Sequence, residues 1–319
     1  MAEQNKIKSA QNIQPVEWGS GKPDEQEIPK MIWTFWDAPK ISPLINMCFS
    51  QIKKNLPDYE LNIIHLKNVR KYIPNIEKAR TDISFINFTD LVRLKLLKKY
   101  GGIWMDASIL LTENLDWILN KKYESGADLV GFYSDYFTKN SDFPLLETWF
   151  LACAPENKFI SAWASEFEKC YNSENPHQYF DEEKKNPDFL HKFDEWLSNY
   201  LIAYLAAAKV MRANQDFKLL MFPSSKTAHY YTFGLELPAH KTAELFLSCE
   251  TQKHIPKMIK FERISRNAVD NAIENGLLTK KSLLFRITKN KNYLRRKPRF
   301  FIKYIIFISR NLAKKYLHK

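Results

Sequence analysis

The stretch Phe88–Leu111, FTDLVRLKLLKKYGGIWMDASILL, joins a helix to a strand and ends that strand at a carboxylate. Its first half has apolar residues at helical spacing, with Thr89 as the expected N-cap. The pair Gly101-Gly102 predicts the helix end, because glycine accepts the left-handed backbone of a C-cap. A short strand then runs into Asp106. This order is typical of an open α/β sheet, which binds ligands at the carboxyl ends of its strands.

The residues around this stretch also predict alternating strands and helices. Apolar runs predict strands at Ile28–Trp36, Tyr59–Leu66, Ala127–Tyr133, Thr148–Ala154 and Lys218–Phe222. Helical spacing predicts helices at Leu44–Leu56, Asn68–Tyr72, Lys158–Tyr171 and Phe189–Arg212. The polar segment 172–188 is expected to be an exposed loop. The fold class is therefore α/β, with a parallel sheet at its start.

Composition narrows the class of protein. The chain has 319 residues, of which 45% are hydrophobic, so it can bury a large core. Four scattered cysteines show no C-x-x-C pair, which disfavours a zinc site or a disulfide framework and favours a reducing compartment. No apolar run reaches the length of a membrane span, and the N-terminus lacks a secretory h-region. We therefore expect a cytoplasmic protein.

The net charge of +12 is concentrated at the C-terminal end. Fourteen of the 48 Lys and Arg residues, and none of the 36 Asp and Glu residues, lie between positions 280 and 319. Basic and apolar residues alternate there as in a helix lying on an anionic membrane. The alternatives are a solvated basic helix packed on the body and a nucleic-acid contact. We expect membrane contact and no nucleic acid.

These patterns divide the chain into three segments. We expect residues 1–27 to be a flexible N-terminal segment, residues 28–275 to form the α/β domain, and residues 276–319 to form a basic amphipathic extension. The location that follows is cytoplasmic, with peripheral attachment to a membrane.

The stretch 88–111, together with IPKMIWTFW at Ile28–Trp36, resembles the capsular polysaccharide synthesis family of bacterial glycosyltransferases. It is more distantly similar to sugar transferases with a DXD motif, such as the glycosyltransferase family 32 mannosyltransferases and the clostridial glucosylating toxins. The shared pattern is I-P-K-x-I-W-x-x-W, then [ST]-D-x-x-R, then Y-G-G-I-[WY]-x-D. Clear resemblance covers 28–111, and a weaker one covers 147–160. It implies a GT-A type, Rossmann-like domain.

The resemblance also implies roles for individual residues. Trp33, and less directly Trp36, would bind the nucleotide sugar, with Trp33 stacking on the nucleobase. Asp90 and Arg93 would reach the sugar and phosphates, and Asp106 would hold the ribose, the sugar and a metal, so that these three are the catalytic candidates. The alternative for both tryptophans is a place in the core, and the alternative for Asp90 and Arg93 is an ion pair with each other on their helix.

Elementary chemistry supports the same three polar residues. Asp90 and Arg93 are three positions apart, so they project from one helix face. A diphosphate leaving group carries charge that a metal or a basic side chain must stabilise. We therefore expect Asp90, Arg93 and Asp106 to converge around a pyrophosphate.

Ser108 stands where the relatives carry a second acid, next to the donor. Asp106 would then bind Mn²⁺ or Mg²⁺ with diphosphate oxygens, water and a later ligand, for which His229 is the candidate. Glu147 begins a strand that lines the acceptor side in the relatives.

The resemblance thus implies a hexosyltransferase of bacterial capsule or surface polysaccharide synthesis, peripheral on the inner face of the bacterial cytoplasmic membrane. It would use a nucleotide sugar, expected to be a UDP sugar, and a glycan or lipid-linked acceptor, with retention of configuration by analogy. The loss of the second acid leaves an inactive nucleotide-sugar-binding or scaffold protein as one alternative. A nucleic-acid-binding protein, suggested by the tail alone, is the second.

Overall fold

The computed structural model describes residues 13–185, 202–249, 252 and 254–294. The described residues form a seven-stranded mixed sheet with helices on both faces and a separate two-stranded sheet at one edge. This arrangement confirms the predicted α/β class and agrees with the expected GT-A type domain.

The strands are numbered along the chain. They are β1 (Val16–Trp18), β2 (Met31–Phe35), β3 (Glu60–Ile64), β4 (Gly102–Met105), β5 (Ile109–Leu111), β6 (Leu129–Tyr133), β7 (Leu146–Cys153), β8 (Leu219–Pro223) and β9 (Met258–Lys260).

The α-helices are numbered in the same way. They are α1 (Pro43–Asn55), α2 (Val69–Tyr72), α3 (Phe85–Tyr100), α4 (Asp116–Ser125), α5 (Lys158–Asn172), α6 (Asp181–Lys184), α7 (Ile202–Ala213), α8 (Ala239–Leu247), α9 (Arg263–Glu274) and α10 (Leu283–Thr288). A π-helical turn at Tyr230–Gly234 and two 3₁₀ turns, Ser224–Lys226 and Lys291–Tyr293, complete the secondary structure of the described part.

The large sheet has the strand order β1-β8-β6-β7-β4-β2-β3. Strands β2, β3, β4, β6 and β8 run in one direction, whereas β1 and β7 run in the other. The carboxyl ends of the five parallel strands and the amino end of β7 therefore meet at one edge. In open α/β sheets this is the edge where ligands bind.

Strand β4 is buried on both faces of the sheet. Trp104 packs with the apolar side chains of α3, α5 and α7, whereas Ile103 and Met105 pack with those of α1 and α4 on the other face. Strand β4 begins at Gly102, directly after the end of helix α3, and Gly101 makes this tight connection possible. With φ at 61°, it accepts a backbone that L-residues avoid, and an added Cβ would lie 2.5 Å from the nitrogen of Pro155.

The small sheet brings a late part of the chain beside Asp106. Strand β5, three residues after Asp106, pairs antiparallel with β9 so that Ile109 lies opposite Lys260. The amide of Phe261 donates to the carbonyl of Ser108 at 3.0 Å, and the amide of Lys260 donates to the carbonyl of Ala228 at 2.8 Å. Lys260 is thus held by backbone bonds on both sides.

Most predicted elements are found within a few residues of their expected bounds, but the start of α3 differs. The helix begins at Phe85, and Ser84 is its N-cap, with its hydroxyl accepting from the amide of Ile86. The predicted cap Thr89 lies inside the helix, where its hydroxyl donates to the carbonyl of Phe85. Hydroxyl side chains fit either place, so the sequence alone did not distinguish them.

Both predicted outer segments need correction. Within the expected flexible segment 1–27, β1 pairs antiparallel with β8 and the side chain of Trp18 is buried. Within the expected extension from 276, Leu283 and Leu284 are buried in one cluster with Leu44 of α1. Residue 276 is therefore not a structural boundary. The basic tail beyond Leu294, like residues 1–12, lies outside the described residues.

Two further predictions fall partly outside that range. The expected loop 172–188 contains the short helix α6 and the buried ring of Phe180, and its last three residues are not among those described. Of the expected helix 189–212, the part from Ile202 onward is helical in the structure, and the part before it lies outside the described residues. In the part of the chain that the structure covers, no helix is both long enough and apolar enough to cross a membrane.

Candidate functional site

A large cleft lies at the edge where the parallel strands end. Its volume is about 1180 Å³, and its walls come from the ends of β2, β4, β6 and β9, the start of β7, and helices α3, α7 and α9. Among the predicted residues, the walls include the following: Trp36, Asp90, Arg93, Asp106, Ser108, Glu147 and His229. Trp33 is absent from these walls.

The structure brings Asp90, Arg93 and Asp106 together, as the sequence predicted. Arg93 donates through Nη1 to Oδ1 of Asp90 and through Nη2 to Oδ1 of Asp106, the latter at 3.1 Å. The guanidinium also lies over the ring of Trp104, 4.7 Å from its centroid. Arg93 and Asp90 are only 3% to 4% exposed, whereas the side chain of Asp106 is 25% exposed. Asp106 is therefore the member of the trio most open to a ligand.

Burial and neighbouring charges act in opposite directions on the pKa values of Asp90 and Asp106. Burial raises the pKa of Asp90 to about 6 against the opposing charge of Arg93. Burial would also raise the pKa of Asp106, but the charges of Lys260 and Arg93 lower it to about 2. Both are ionised at neutral pH, so negative and positive groups alternate along this wall.

Lys260 completes that wall, and the sequence did not point to it. Its Nζ lies 2.5 Å from Oδ2 of Asp106 and 3.2 Å from the hydroxyl of Ser108. Because Trp104 Nε1 donates to Oδ1 of Asp106 at 3.0 Å, both carboxylate oxygens have basic or N–H partners. Lys260 lies 154 positions after Asp106, at the end of a three-residue strand, and it belongs to no recognised motif.

Glu147 lies at the start of β7, as predicted, and is buried. The hydroxyl of Tyr136 donates to its Oε1 at 2.9 Å, and that of Tyr204 donates to its Oε2 at 2.8 Å. Burial raises the pKa of Glu147 to about 7, and the two hydrogen bonds and Lys260 oppose that rise. This carboxyl can therefore exchange a proton near neutral pH. The two tyrosines were not predicted, because their positions in the sequence are far from any recognised pattern.

His229 lies just before the π-helical turn, surrounded by rings. Its imidazole is 5.7 Å from the ring of Trp149 and 5.3 Å from that of Phe233. Burial and the charge of Lys260 lower its pKa to about 3, so it is neutral at physiological pH. Its Nδ1 has no hydrogen-bond partner among the described residues and lies 4.0 Å from Oε1 of Glu262.

The prediction that Trp33 stacks on a nucleobase is wrong. Its side chain is 2% exposed, its ring packs against Tyr72 and Tyr100, and its Nε1 donates to the carbonyl of Gly101 at 2.9 Å. This part of β2 is covered by helix α3, so the cleft is reached only at the end of the strand, by Phe35, and by the residues that follow it. Trp36 is such a residue, and its ring lies 5.3 Å from the guanidinium of Arg266.

The side chains at Asp106 do not form a donor set for a divalent metal. Mn²⁺ and Mg²⁺ need several oxygen ligands, and both oxygens of Asp106 already pair with cationic or N–H donors. In the described ranges there is no group of three or more His, Cys, Asp or Glu side chains that could hold a metal ion. The expected ligand pair of Asp106 and His229 therefore does not fit this geometry.

Comparison with known proteins matches most of this chain to one protein family. The profile of the capsular polysaccharide synthesis proteins matches residues 2–217. Glycosyltransferase afumC of Aspergillus fumigatus is 31% identical over 114 residues, covering 30% of this chain and 28% of that protein. O-glycosyltransferase braB of Annulohypoxylon truncatum is 34% identical over 86 residues, covering 26% of this chain and 20% of that protein.

The matched region thus spans about a quarter of the length of these two curated relatives. Among solved structures, the PaToxG glycosyltransferase is similar with a TM-score of 0.33 and 17% sequence identity, covering 66% of this chain and 84% of that one.

Proposed function

The chain belongs to the capsular polysaccharide synthesis protein family, and we propose that it is a glycosyltransferase that moves a sugar from a nucleotide sugar to a glycan or lipid-linked acceptor. The observation that carries this proposal is the convergence of Asp90, Arg93 and Asp106 on one wall of a large cleft. A donor with a diphosphate needs positive charge, and its sugar hydroxyls need carboxylate acceptors. This wall offers both.

In this reaction the bond between the anomeric carbon and the phosphate oxygen breaks, and its electron pair stays on the diphosphate. The acceptor oxygen forms the new bond to the anomeric carbon, and its proton passes to the departing phosphate if configuration is retained. Arg93 supplies a fixed charge near the diphosphate, and Asp106 orients the donor through its remaining lone pairs. Such preorganised charge is worth more in a partly buried site than in water.

Glu147 is our candidate for the acceptor side. This residue lines the cleft from β7, and two tyrosine hydroxyls fix the orientation of its carboxylate. An acceptor hydroxyl that donates to this carboxylate would be held in line with the anomeric carbon. Because burial raises the pKa of Glu147 to about 7, this contact strengthens as the carboxyl ionises at neutral and higher pH.

The finer assignments are also proposals. We propose a UDP sugar as donor, retention of configuration, and a role in bacterial capsular or related surface polysaccharide synthesis, as the family resemblance implies. Product stereochemistry is read from the anomeric coupling constants in proton NMR of the first product formed.

The test is a panel of UDP, GDP and CMP sugars, each assayed for binding and slow hydrolysis. We expect one UDP sugar to bind and to be hydrolysed, Asp106→Asn to lower hydrolysis about 100-fold or more, and Arg93→Met to weaken binding. Lys121→Met, at an exposed lysine outside the cleft, is the control. Wild-type hydrolysis by Asp106→Asn, or no binding of any donor, would overturn the proposal.

Attachment to a membrane is a separate proposal, which rests on the sequence of the tail. A full-length variant with Arg295, Arg296, Lys297 and Arg299 changed to Gln should sediment less with vesicles containing anionic lipid than the wild type does. Equal sedimentation of both proteins would contradict membrane attachment through these residues.

A further inference from the structure

We propose that Lys260 is the cation that binds the donor diphosphate, in the place that a divalent metal would occupy. The inference rests on the proposed function, since it names the residue that receives the leaving group of that reaction. It goes beyond the expectation of a metal site, which the side chains around Asp106 do not support.

The position of Lys260 is the first support. Its Nζ bonds both Asp106 and Ser108, so one ammonium links the acid and the hydroxyl that stand at the two ends of the D-A-S sequence. Where a second acid would add a metal ligand, the neutral hydroxyl of Ser108 accepts from the lysine instead. A fixed positive charge therefore already sits between these two side chains.

The rigidity of this lysine is the second support. Its side chain is only 14% exposed, and its backbone is fixed by the pairing of β9 with β5 and by the bond to Ala228. A metal displacing it would have to expel an ammonium from contact with Asp106. Lys260 would instead keep its place and present its remaining N–H to the ligand, because an ammonium has three donors.

The surroundings of Lys260 are the third support. Lys260, Arg263 and Arg266 all line the same cleft. Helix α9 begins at Arg263, so the two arginines lie in its first turn and Lys260 lies just before it. Glu262, the N-cap of α9, also lines this corner, but the three basic side chains outnumber it, and the helix N-terminus beside them favours an anion. Arg93, which bonds the other oxygen of Asp106, contributes a fourth positive charge, so a diphosphate at this wall meets a cation on each side of Asp106.

Calorimetric titration of the full-length protein with UDP, and with GDP in parallel, tests the inference. In EDTA, we expect UDP to bind, and added Mn²⁺ to change the dissociation constant by no more than about twofold. Lys260→Met should weaken UDP binding about 10- to 100-fold in EDTA, the range for losing a charge-assisted hydrogen bond. Lys260→Arg, which keeps the charge, should fall between that variant and the wild type.

The matched control is Lys257→Met, since Lys257 lies one residue before β9, pairs with Glu113, and does not line the cleft. Its UDP affinity should stay within about twofold of the wild type. Thermal unfolding of each variant shows whether it is folded. The wild-type comparison of EDTA with Mn²⁺ needs no variant, so the inference can fail even if Lys260→Met does not fold.

The outcomes separate this inference from the proposed function. UDP or GDP binding that requires Mn²⁺ and is lost in EDTA would overturn the role of Lys260 while leaving a nucleotide-sugar enzyme. Folded Lys260→Met with wild-type affinity would do the same. Failure of both nucleotides to bind, with and without Mn²⁺, would overturn the proposed function and the inference with it.

Discussion

The ammonium of Lys260 lies 2.5 Å from Oδ2 of Asp106, although 154 positions separate the two residues in the chain. The contact forms because β9 pairs with β5 immediately after Asp106. It links the late part of the chain to the helix and strand that carry the family pattern. Asp106 thus stands between two cations, Lys260 and Arg93.

Removing the charge of Asp106 should destabilise the protein as well as impair binding. In Asp106→Asn, the two cations lose the carboxylate that separates them and repel each other. Loss of one partner from a buried ion pair costs about 3 to 5 kcal/mol, and the partial exposure of Asp106 reduces this to about 1 to 3 kcal/mol. Urea denaturation measures the difference. A variant as stable as the wild type would show that the two cations are well solvated.

The effects of substituting Asp90 and Arg93 on the free energy of unfolding should be coupled. Arg93→Met leaves the buried carboxylate of Asp90 without its main partner, so we expect a loss of about 3 kcal/mol in the free energy of unfolding. Adding Asp90→Asn to Arg93→Met should recover part of that loss, because no unpaired charge then stays buried. Urea denaturation of both single variants and the double variant checks this. Strictly additive losses would contradict the coupling.

Glu147 should make stability fall as the pH rises. Its pKa is about 7 in the folded protein and 4.5 ordinarily, so between these values the folded state holds a proton that the unfolded state has lost. Stability from this group is therefore full below about pH 4.5 and is lost by about pH 7. Relative to the wild type, Glu147→Gln should gain roughly 2 to 3 kcal/mol between pH 5 and pH 8, since one pKa unit is about 1.4 kcal/mol.

The measurement is urea denaturation of wild type and Glu147→Gln at several pH values. Glu124→Gln, at an exposed side chain on α4, is the control and should follow the wild-type curve. Parallel pH curves for Glu147→Gln and the wild type would mean that Glu147 is ionised at neutral pH at no cost to stability.

Substitutions of Trp33, within β2, and of Trp36, just beyond its end, should have separate effects on stability and on binding. Trp33→Phe removes a buried hydrogen bond and part of a core ring, so it should lower stability by about 1 to 3 kcal/mol and leave UDP affinity unchanged. Trp36→Ala should weaken UDP binding about tenfold with a smaller effect on stability, because Trp36 lines the cleft. Thermal unfolding and calorimetry of both variants test this. The reverse pattern would place the nucleobase site at Trp33.

The sequence predicted much of the wall that holds Asp106 because that wall is local. Asp90 and Arg93 share one helix, and Gly101-Gly102 directs the following strand so that Asp106 lies near them. Trp33 was misplaced because periodicity shows that a strand residue is buried but not whether a helix or a ligand covers it. Only the packing of α3 on β2 decides that.

Lys260, Tyr136 and Tyr204 were not predicted for a different reason. No motif marks any of the three, and Lys260 and Tyr204 meet their partners only through contacts between distant parts of the chain. Strand β9 has three residues, too few to show a period, and its partner β5 is also three residues long. Pairing between two such short strands depends on the tertiary structure around them.

The strand that carries Lys260 lies beyond residue 217, where the family match ends. One of the two cations that pair with Asp106 is therefore supplied by a segment outside the matched region, and the other, Arg93, by a segment inside it. A relative can keep the helix and strand around Asp106 and still differ in the residue that faces Ile109. Exchange of this one side chain would change the charge beside Asp106 while leaving the matched framework intact.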